Sequence, residues 1–188
     1  MNNPSLPAPE SLSEGQAFVL KEDVIFTPLG QEGSLCWLNA RLPASGGAFI
    51  IATAVSDEEE ASATRLLRNE FALREYLSDD WAVRPVASTQ YHGRFALVYA
   101  PFAFVLLTRR VGTPMAGMQH FLDLALRICL PLRLMHLRNL VHGDIKPGNI
   151  FIDDEHRCRL GGFGLSSGGA EDLSQTRLSV TGGTPAYM

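Results

Sequence analysis

The sequence predicts an α+β fold in which a five-stranded antiparallel sheet with one helix precedes a mainly helical region. Short apolar runs rich in β-branched residues, bounded by Gly, Pro and Asn, recur through the first half of the chain. One charged stretch between them carries apolar residues at three- and four-residue spacing, which is typical of a helix. A longer amphipathic stretch follows and leads into a polar loop. These three features together define the predicted fold class.

The predicted sheet has one helix after its third strand. The strands cover Phe18–Phe26, Ser34–Leu42, Ala48–Val55, Arg84–Gln90 and Arg94–Phe102. The helix covers Ser56–Ser78, because Ser56 and Glu59 have the spacing of a capping box and apolar residues follow at helical intervals.

The second region is predicted to start with a helix over Met118–Leu137, in which Pro131 removes a backbone donor and should cause a kink. A polar turn follows at Asp153–Arg159, and residues 162–183 are rich in Gly, Ser and Thr. We therefore predict a disordered leader at residues 1–15, a first domain at 16–102 and a second at 103–188.

Composition narrows the functional classes. The formal net charge of −4 argues against nucleic acid as the main partner. The three cysteines, Cys36, Cys129 and Cys158, lack metal-site spacing and indicate a reducing, cytoplasmic compartment. The leader has no basic residue before an apolar run, so it does not resemble a signal peptide. The longest nearly uncharged stretch, Phe95–Leu107, is shorter than the ~20 residues of a membrane helix, and we expect no membrane contact by this segment.

The stretch His142-Gly143-Asp144-Ile145-Lys146-Pro147-Gly148-Asn149 carries the strongest chemical signal. Asp144 could accept the proton of an attacking hydroxyl, and Lys146 could neutralise a transferring phosphoryl group. Asn149 could hold a metal ion that bridges phosphates. Asp, Pro-Gly and Asn are also ordinary turn residues, so this loop alone leaves a simple turn as an alternative.

Two further motifs follow this loop in the sequence. Leu160–Leu165 reads L-G-G-F-G-L, and Gly182–Met188 reads G-G-T-P-A-Y-M. With H-G-D-x-K-x-x-N, these motifs resemble the H-R-D-x-K-x-x-N, D-F-G and G-T-x-x-Y-M segments of eukaryotic-like serine/threonine protein kinases. The resemblance extends from about Phe18 to Met188. It implies a bilobal kinase fold with ATP and Mg²⁺ as cofactors, and a large lobe that is truncated, since complete kinase domains have about 250 residues.

Two other groups share part of this pattern. Aminoglycoside and choline phosphotransferases also carry H-G-D, which Gly143 matches, but Lys146 and the G-T-P-A-Y-M segment favour protein kinases. Leu160–Ser167 is similar to the T-G-F-G-I-A-S segment in the N-terminal kinase-like domains of large bacterial hybrid sensor histidine kinases.

The glycine-rich loop that covers ATP phosphates in kinases is incomplete here. The corresponding stretch, Leu29–Trp37, keeps Gly30 and has Gly33, but Glu32 and Leu35 stand at the second and third glycine positions. The carboxylate of Glu32 would repel phosphates. An ordinary turn between strands is the preferred interpretation of this stretch.

The resemblance also implies that two charged residues of kinases, a lysine and an aspartate, are absent here. Ala52 stands where kinases have the lysine that clamps the α- and β-phosphates, and no lysine occurs between residues 25 and 139. Glu70 would be the partner of that lysine; it either pairs with an arginine turned inward (Arg65, Arg68 or Arg74) or is a solvated helix residue. Gly162 replaces the metal-binding Asp of D-F-G, so Mg²⁺ would lose its main anionic ligand.

Three functional hypotheses follow. The first is a pseudokinase, a regulatory or interaction module whose partner is a protein or a downstream domain of the same polypeptide. In it, His142 and Phe163 stack as in kinases and preserve the architecture. The second is an active serine/threonine kinase with Asp144 as base, Lys146 on the phosphoryl group and Asn149 on the metal. The third is a small-molecule phosphotransferase. In both kinase-like hypotheses, Gly143 replaces the Arg that would bind an activation-loop phosphate.

Overall fold

The computed structural model describes residues 23–44, 46–110, 117–168 and 183–187. The chain divides into two compact units. The first comprises Met1–Phe71 and Pro85–Pro101, and the second comprises Ala72–Arg84 and Phe102–Met188. The short segment between residues 72 and 84 therefore belongs to the second unit although it lies, in sequence, between two stretches of the first.

The first unit contains the predicted five-stranded antiparallel sheet, in the order β1-β2-β3-β5-β4. Its strands are β1 Ile25–Glu32, β2 Leu35–Arg41, β3 Ala48–Ala54, β4 Pro85–Tyr91 and β5 Arg94–Tyr99. The single helix, α1 Glu60–Ala72, follows β3 and buries Ala63, Leu67 and Glu70. The predicted α+β class with a five-stranded sheet and one helix is confirmed.

The two faces of this sheet have different compositions, because successive side chains of a strand point to opposite sides. One face holds an aliphatic and aromatic cluster with Leu38, Phe49, Ile51 and Val98 at its centre. The alternate positions of the same strands, including Trp37, Ala52, Leu97 and Tyr99, are also buried. Both faces of the central strands are therefore packed.

The predicted boundaries of the first strand were wrong. Residues 18–22 of that prediction lie outside the described residues, and β1 continues through Pro28-Leu29-Gly30, which had been interpreted as a connection. A register shift between Pro28 and Gly30 accommodates the proline within the ladder. The turn instead falls at Gly33-Ser34, where Gly33 has a φ of +55°.

The helix α1 begins later and ends earlier than Ser56–Ser78. Arg94 donates to Asp57 Oδ1 at 2.9 and 2.6 Å and to the carbonyl oxygens of Ala54 and Val55. These bonds fasten the end of β3 to β5, so Ser56 lies in a turn before the helix instead of capping it. After Ala72, a short 3-10 turn at Arg74–Tyr76 ends at Leu77, which is extended.

The second unit contains the helix α2 Met118–His136, which continues through Pro131 and agrees closely with the predicted Met118–Leu137. Its strands are short: β6 Val105–Leu106, β7 Leu140–Val141, β8 Ile150–Ile152, β9 Cys158–Leu160 and β10 Ser167–Gly168. β8 pairs antiparallel with β6 and β9, and β7 pairs antiparallel with β10.

The core of the second unit is built around Trp81, Met135, Leu140, Leu160 and Phe163, all of which are buried. The segment before β4 enters this core through backbone bonds: Val83 N–H donates to Leu160 O at 2.7 Å, and Leu160 N–H donates to Trp81 O at 2.9 Å. The helix α2 keeps exposed apolar side chains, including Phe121 and Leu126. Across the described ranges, no helix combines the length and apolarity needed to cross a membrane.

Candidate functional site

The loop between β7 and β8 brings the three predicted catalytic residues together. Asp144 Oδ2 lies 3.1 Å from Lys146 Nζ. Asn149 Nδ2 donates to the backbone oxygen of Asp144 at 2.8 Å and to its Oδ2 at 3.0 Å. A single 3-10 turn at Pro147–Asn149, which starts with the proline, returns the chain so that these side chains meet. The loop therefore has the compact arrangement that its motif predicts.

Thr184 completes this arrangement, a role that the sequence alone did not predict. Its hydroxyl donates to Asp144 Oδ1 at 2.8 Å and accepts from Lys146 Nζ at 3.0 Å. The signal that could have identified it is its place in the G-T-x-x-Y-M segment. Asp144, Lys146, Asn149 and Thr184 form what we call the loop network.

The loop network keeps Asp144 ionised at neutral pH. Burial by itself raises the pKa of this carboxyl group, but the hydrogen bonds from Thr184 and Lys146 and the charge of Lys146 outweigh it and hold the pKa below its usual value. The side chains of Lys146 and Asp144 are only 11% and 13% exposed, so solvent screens this ion pair little. Both carboxylate oxygens of Asp144 are thus already engaged within the loop.

Asn149 and Gly162, the two positions that the resemblance assigns to metal binding, lie next to each other. Gly162 has a φ of +74°, and a Cβ atom placed there would lie 2.5 Å from Asn149 Oδ1. The amide of Asn149 therefore occupies the space that a side chain at position 162 would need. Mg²⁺ favours carboxylate oxygens, and Asp144, the carboxylate of the loop network, already has partners on both oxygens. These residues do not fit Mg²⁺, and no metal-type cluster of His, Cys, Asp or Glu occurs among the described residues.

His142 has a structural place beneath the loop. Its Nε2 donates to Gly161 O at 3.0 Å, and its Nδ1 accepts from the N–H of Asp144 at 3.3 Å, which together fix one neutral tautomer. Burial lowers the pKa of His142 to about 4. The ring centroid lies 4.8 Å from that of Phe163, and Phe163 in turn meets Trp81 edge to face. The predicted stacking of His142 and Phe163 is therefore present within the second unit.

Gly143 is also required by its surroundings. Its φ is +79°, and a Cβ atom would lie 2.6 Å from the backbone oxygen of Leu165. The arginine that kinases have here cannot be placed in this backbone conformation without moving the segment after Gly162. The loop conformation and the loss of this arginine are therefore linked.

In the first unit, the position predicted to correspond to the clamp lysine is fully enclosed. Ala52 has no exposed surface, and its neighbours across the sheet are Trp37 on β2 and Leu97 on β5. Glu70 of α1 is only 1% exposed and accepts a hydrogen bond of 3.1 Å from the hydroxyl of Tyr99. The interpretation of Glu70 as a solvated helix residue was therefore wrong.

Burial strongly affects the Tyr99–Glu70 pair. Loss of solvent raises the pKa of Tyr99 well above its ordinary value, and the Glu70 carboxylate raises it further, so the phenol remains a donor. The observed contacts of the three nearby arginines are with other groups. Arg65 is exposed, Arg68 lies over the ring of Phe95 and Arg74 Nε is 3.3 Å from Glu75. A phenol therefore contacts Glu70 where the family has an ammonium group.

The glycine positions of the first hairpin have simple structural roles. Gly30 lies inside β1 opposite Trp37, and Gly33 forms the turn to β2. Glu32 ends β1 opposite Leu35. The arrangement is that of an ordinary strand turn, and a role of Gly30 or Gly33 in nucleotide binding stays a prediction.

Comparisons with known proteins agree with these motifs. The sequence profile described as "Protein kinase domain" matches residues 44–188, more than three quarters of the chain. A probable serine/threonine-protein kinase of Dictyostelium discoideum is 27% identical over 137 residues, which is 71% of this chain and 9% of that protein.

Two shorter matches have higher identity. The interferon-induced, double-stranded RNA-activated protein kinase of Mus musculus is 41% identical over 68 residues, covering 36% of this chain and 13% of that protein. The DNA damage-responsive serine/threonine-protein kinase of Deinococcus radiodurans is 40% identical over 68 residues, covering 36% of this chain and 10% of that protein. The chain thus spans only about a tenth of the length of these relatives. With the profile match and the loop network, these similarities show that the chain belongs to the protein kinase domain family.

Proposed function

We propose that this protein is a pseudokinase, a kinase-fold module that regulates or binds other proteins without transferring phosphate. The hydrogen bond between Tyr99 and Glu70 beside the enclosed Ala52 carries this proposal. It means that the site of the phosphate clamp is occupied by an uncharged donor inside a packed core.

Phosphoryl transfer depends almost wholly on positioning and on neutralising negative charge. The first unit supplies no cation at the clamp position, since Ala52 replaces the lysine. In the second unit, Gly162 replaces the acidic metal ligand, and Asn149 fills the space beside it. Two independent sources of positive charge, the lysine and the metal ion, are therefore lost together, and ATP and Mg²⁺ are not required for the proposed role.

The retained loop residues fit a structural role as well as a chemical one. Asn149 holds the backbone of Asp144, and His142 holds the backbone of both Asp144 and Gly161. A module that keeps this shape can present a kinase-like surface to a protein partner or to a downstream domain of the same polypeptide. This role matches the narrower resemblance to kinase-like domains that precede the sensor and histidine kinase modules of bacterial signalling proteins.

One observation favours an active serine/threonine kinase as the alternative. The loop network is complete, with Asp144 ionised and Lys146 and Thr184 within hydrogen-bond distance of it. In that alternative, Asp144 would accept the proton of the acceptor hydroxyl and Lys146 would neutralise the phosphoryl group.

A phosphotransfer assay on the natural full-length protein separates the two. We expect that wild-type protein and Asp144→Ala transfer equally little phosphate from Mg²⁺-ATP to themselves or to a generic protein acceptor. Asp154→Ala, which changes an exposed carboxylate in the β8–β9 turn, is the matched control. Phosphotransfer that Asp144→Ala abolishes while the melting temperature is retained, and that Asp154→Ala leaves intact, would establish the active kinase instead.

A further inference from the structure

A row of four paired residues crosses the first unit's sheet at position 52. Gly30 pairs with Trp37, Trp37 pairs with Ala52, and Ala52 pairs with Leu97. Paired residues of neighbouring strands place their side chains on the same face. The largest side chain of the row, that of Trp37, therefore lies between Gly30, which has no side chain, and Ala52, which has only a methyl group.

The indole of Trp37 is packed into this face and is only 5% exposed. Its ring centroid is 5.0 Å from that of Tyr99, at an interplanar angle of 39°. Tyr99 is 1% exposed and is itself fixed by its hydrogen bond to Glu70. Trp37, Tyr99 and Glu70 thus form one continuous buried layer over Ala52, which we call the aromatic layer.

We propose that Trp37 is an internal plug: its indole fills the subsite for a planar purine base on this face of the sheet. The indole fits there because the side chain of Ala52 is small. The proposal rests on the pseudokinase function for the identity of position 52 as the former clamp. A purine and an indole are both flat bicyclic rings of similar size, so the indole can fill the volume that a base would use.

The plug and the lost lysine are physically coupled. A lysine at position 52 would project its four-carbon chain from the same face as the adjacent indole, and well-packed cores do not accept added methylene groups without displacement of their neighbours. Truncation of Trp37 should create room for that chain. The two positions should therefore show strong non-additivity, as residues in contact do.

A double-mutant cycle on the full chain tests this coupling. Ala52→Lys is expected to lower the melting temperature by about 5 °C or more in the wild-type background and by clearly less in the Trp37→Val background. Trp37→Phe is a milder second background if the valine variant does not fold. Equal effects of Ala52→Lys in all folded backgrounds would overturn the proposal.

Adenosine tests the plug without relying on phosphate or metal chemistry. We expect binding by Trp37→Val, measured by calorimetric titration, and at least a tenfold weaker interaction or none with the wild-type protein. Phe49→Val is the matched control, because Phe49 is also 5% exposed but lies in the cluster on the opposite face.

Two adenosine results would contradict the proposal: equal binding by wild-type protein and Trp37→Val, or no binding by a folded Trp37→Val variant. Neither result concerns phosphotransfer. The Asp144→Ala assay would therefore still decide separately whether the protein is a pseudokinase. Phosphotransfer by a wild-type protein that does not bind adenosine would refute the function and leave the plug in place.

Discussion

The clamp region of the first unit and the catalytic loop of the second differ in what they have kept. Ala52, at the position that the resemblance assigns to the clamp lysine, is fully buried, and Trp37 and Tyr99 on the same face are buried and in ring contact. Around Asp144, the polar residues are retained, and the described side chains bond to one another. One region has become a hydrophobic core, whereas the other has remained a hydrogen-bonded loop.

This difference separates residues that also stabilise the backbone, such as Asn149, from residues that do not. Asn149 donates to a backbone oxygen of its own loop, so its replacement would leave that oxygen without this partner. A lysine at position 52 would have no comparable backbone role, and a small apolar residue packs well there. Residues such as Asn149 that satisfy the backbone are therefore expected to be needed for the fold whether or not the protein transfers phosphate.

The largest expected effect concerns the packing beneath the loop. Phe163→Ala should reduce the free energy of unfolding by about 3–5 kcal/mol, because it removes a fully buried ring between His142 and Trp81. Urea unfolding measures this change. Leu126→Ala, at a side chain that is 71% exposed, should change stability by about 0.5 kcal/mol or less. Similar effects of the two variants would show that the loop does not depend on this core.

The second effect is a pH dependence that comes from His142. Its pKa falls from 6.5 to about 4 on folding, so the unfolded chain takes up a proton that the folded protein does not. Above about pH 6.5 the shifted pKa of His142 does not lower the free energy of unfolding. As pH falls from there to 4, the free energy of unfolding declines by about 3 kcal/mol. Urea unfolding at about pH 7.5 and pH 4.5 measures the decline.

His142→Gln should make that pH dependence weaker, and His120→Gln, at an exposed histidine, should leave it unchanged. An identical pH dependence in wild-type protein and His142→Gln would assign the decline to other groups.

The third prediction sharpens the description of the clamp region. Tyr99→Phe should lower the free energy of unfolding by about 1–3 kcal/mol, because it removes the hydroxyl that donates to buried Glu70. Glu70→Gln keeps an acceptor and should cost less. Tyr91→Phe is the control, since Tyr91 packs edge to face with Phe26 at the surface of the same unit. A Tyr99→Phe variant as stable as Tyr91→Phe would mean that the phenol does not hold Glu70.

The smallest effect separates backbone strain from crowding at Gly162. Gly162 and Gly93 have φ values of +74° and +81°, and a Cβ atom meets Asn149 at the first but nothing within 4 Å at the second. Gly93→Ala should cost about 1 kcal/mol from its left-handed conformation alone. Gly162→Ala should lower the free energy of unfolding by more than Gly93→Ala does, as measured by urea unfolding. In an Asn149→Ala background, the effect of Gly162→Ala should be smaller, because the side chain that the new Cβ would meet is absent. Equal costs at both glycines would show that Asn149 moves aside freely.

The sequence predicted the parts of the molecule that depend on periodicity and on short motifs. Alternation and helical spacing located the sheet, α1 and α2, and the motif spacing brought Asp144, Lys146 and Asn149 together. The start of α1 was missed because the Arg94–Asp57 interaction joins residues far apart in sequence. For the same reason, capping-box spacing at Ser56 was not sufficient to define the start of the helix.

The sequence could not show which residues surround Ala52 and Glu70. The contact between Glu70 and Tyr99 joins a helix to a strand, and that between Trp37 and Ala52 depends on strand register. Neither produces a local pattern. Thr184 was also missed as a site residue, because its link to Asp144 requires the return of a distant segment. Long-range side-chain contacts thus decide the functional interpretation of this protein.

The thermal shift of the natural full-length protein with ATP, with and without Mg²⁺, tests the central claim most directly. We predict no shift in either condition, because the clamp position is enclosed and the metal position is filled by Asn149. A Mg²⁺-dependent rise of several degrees in melting temperature, lost in Asn149→Ala, would contradict the pseudokinase account and show that the nucleotide site still assembles.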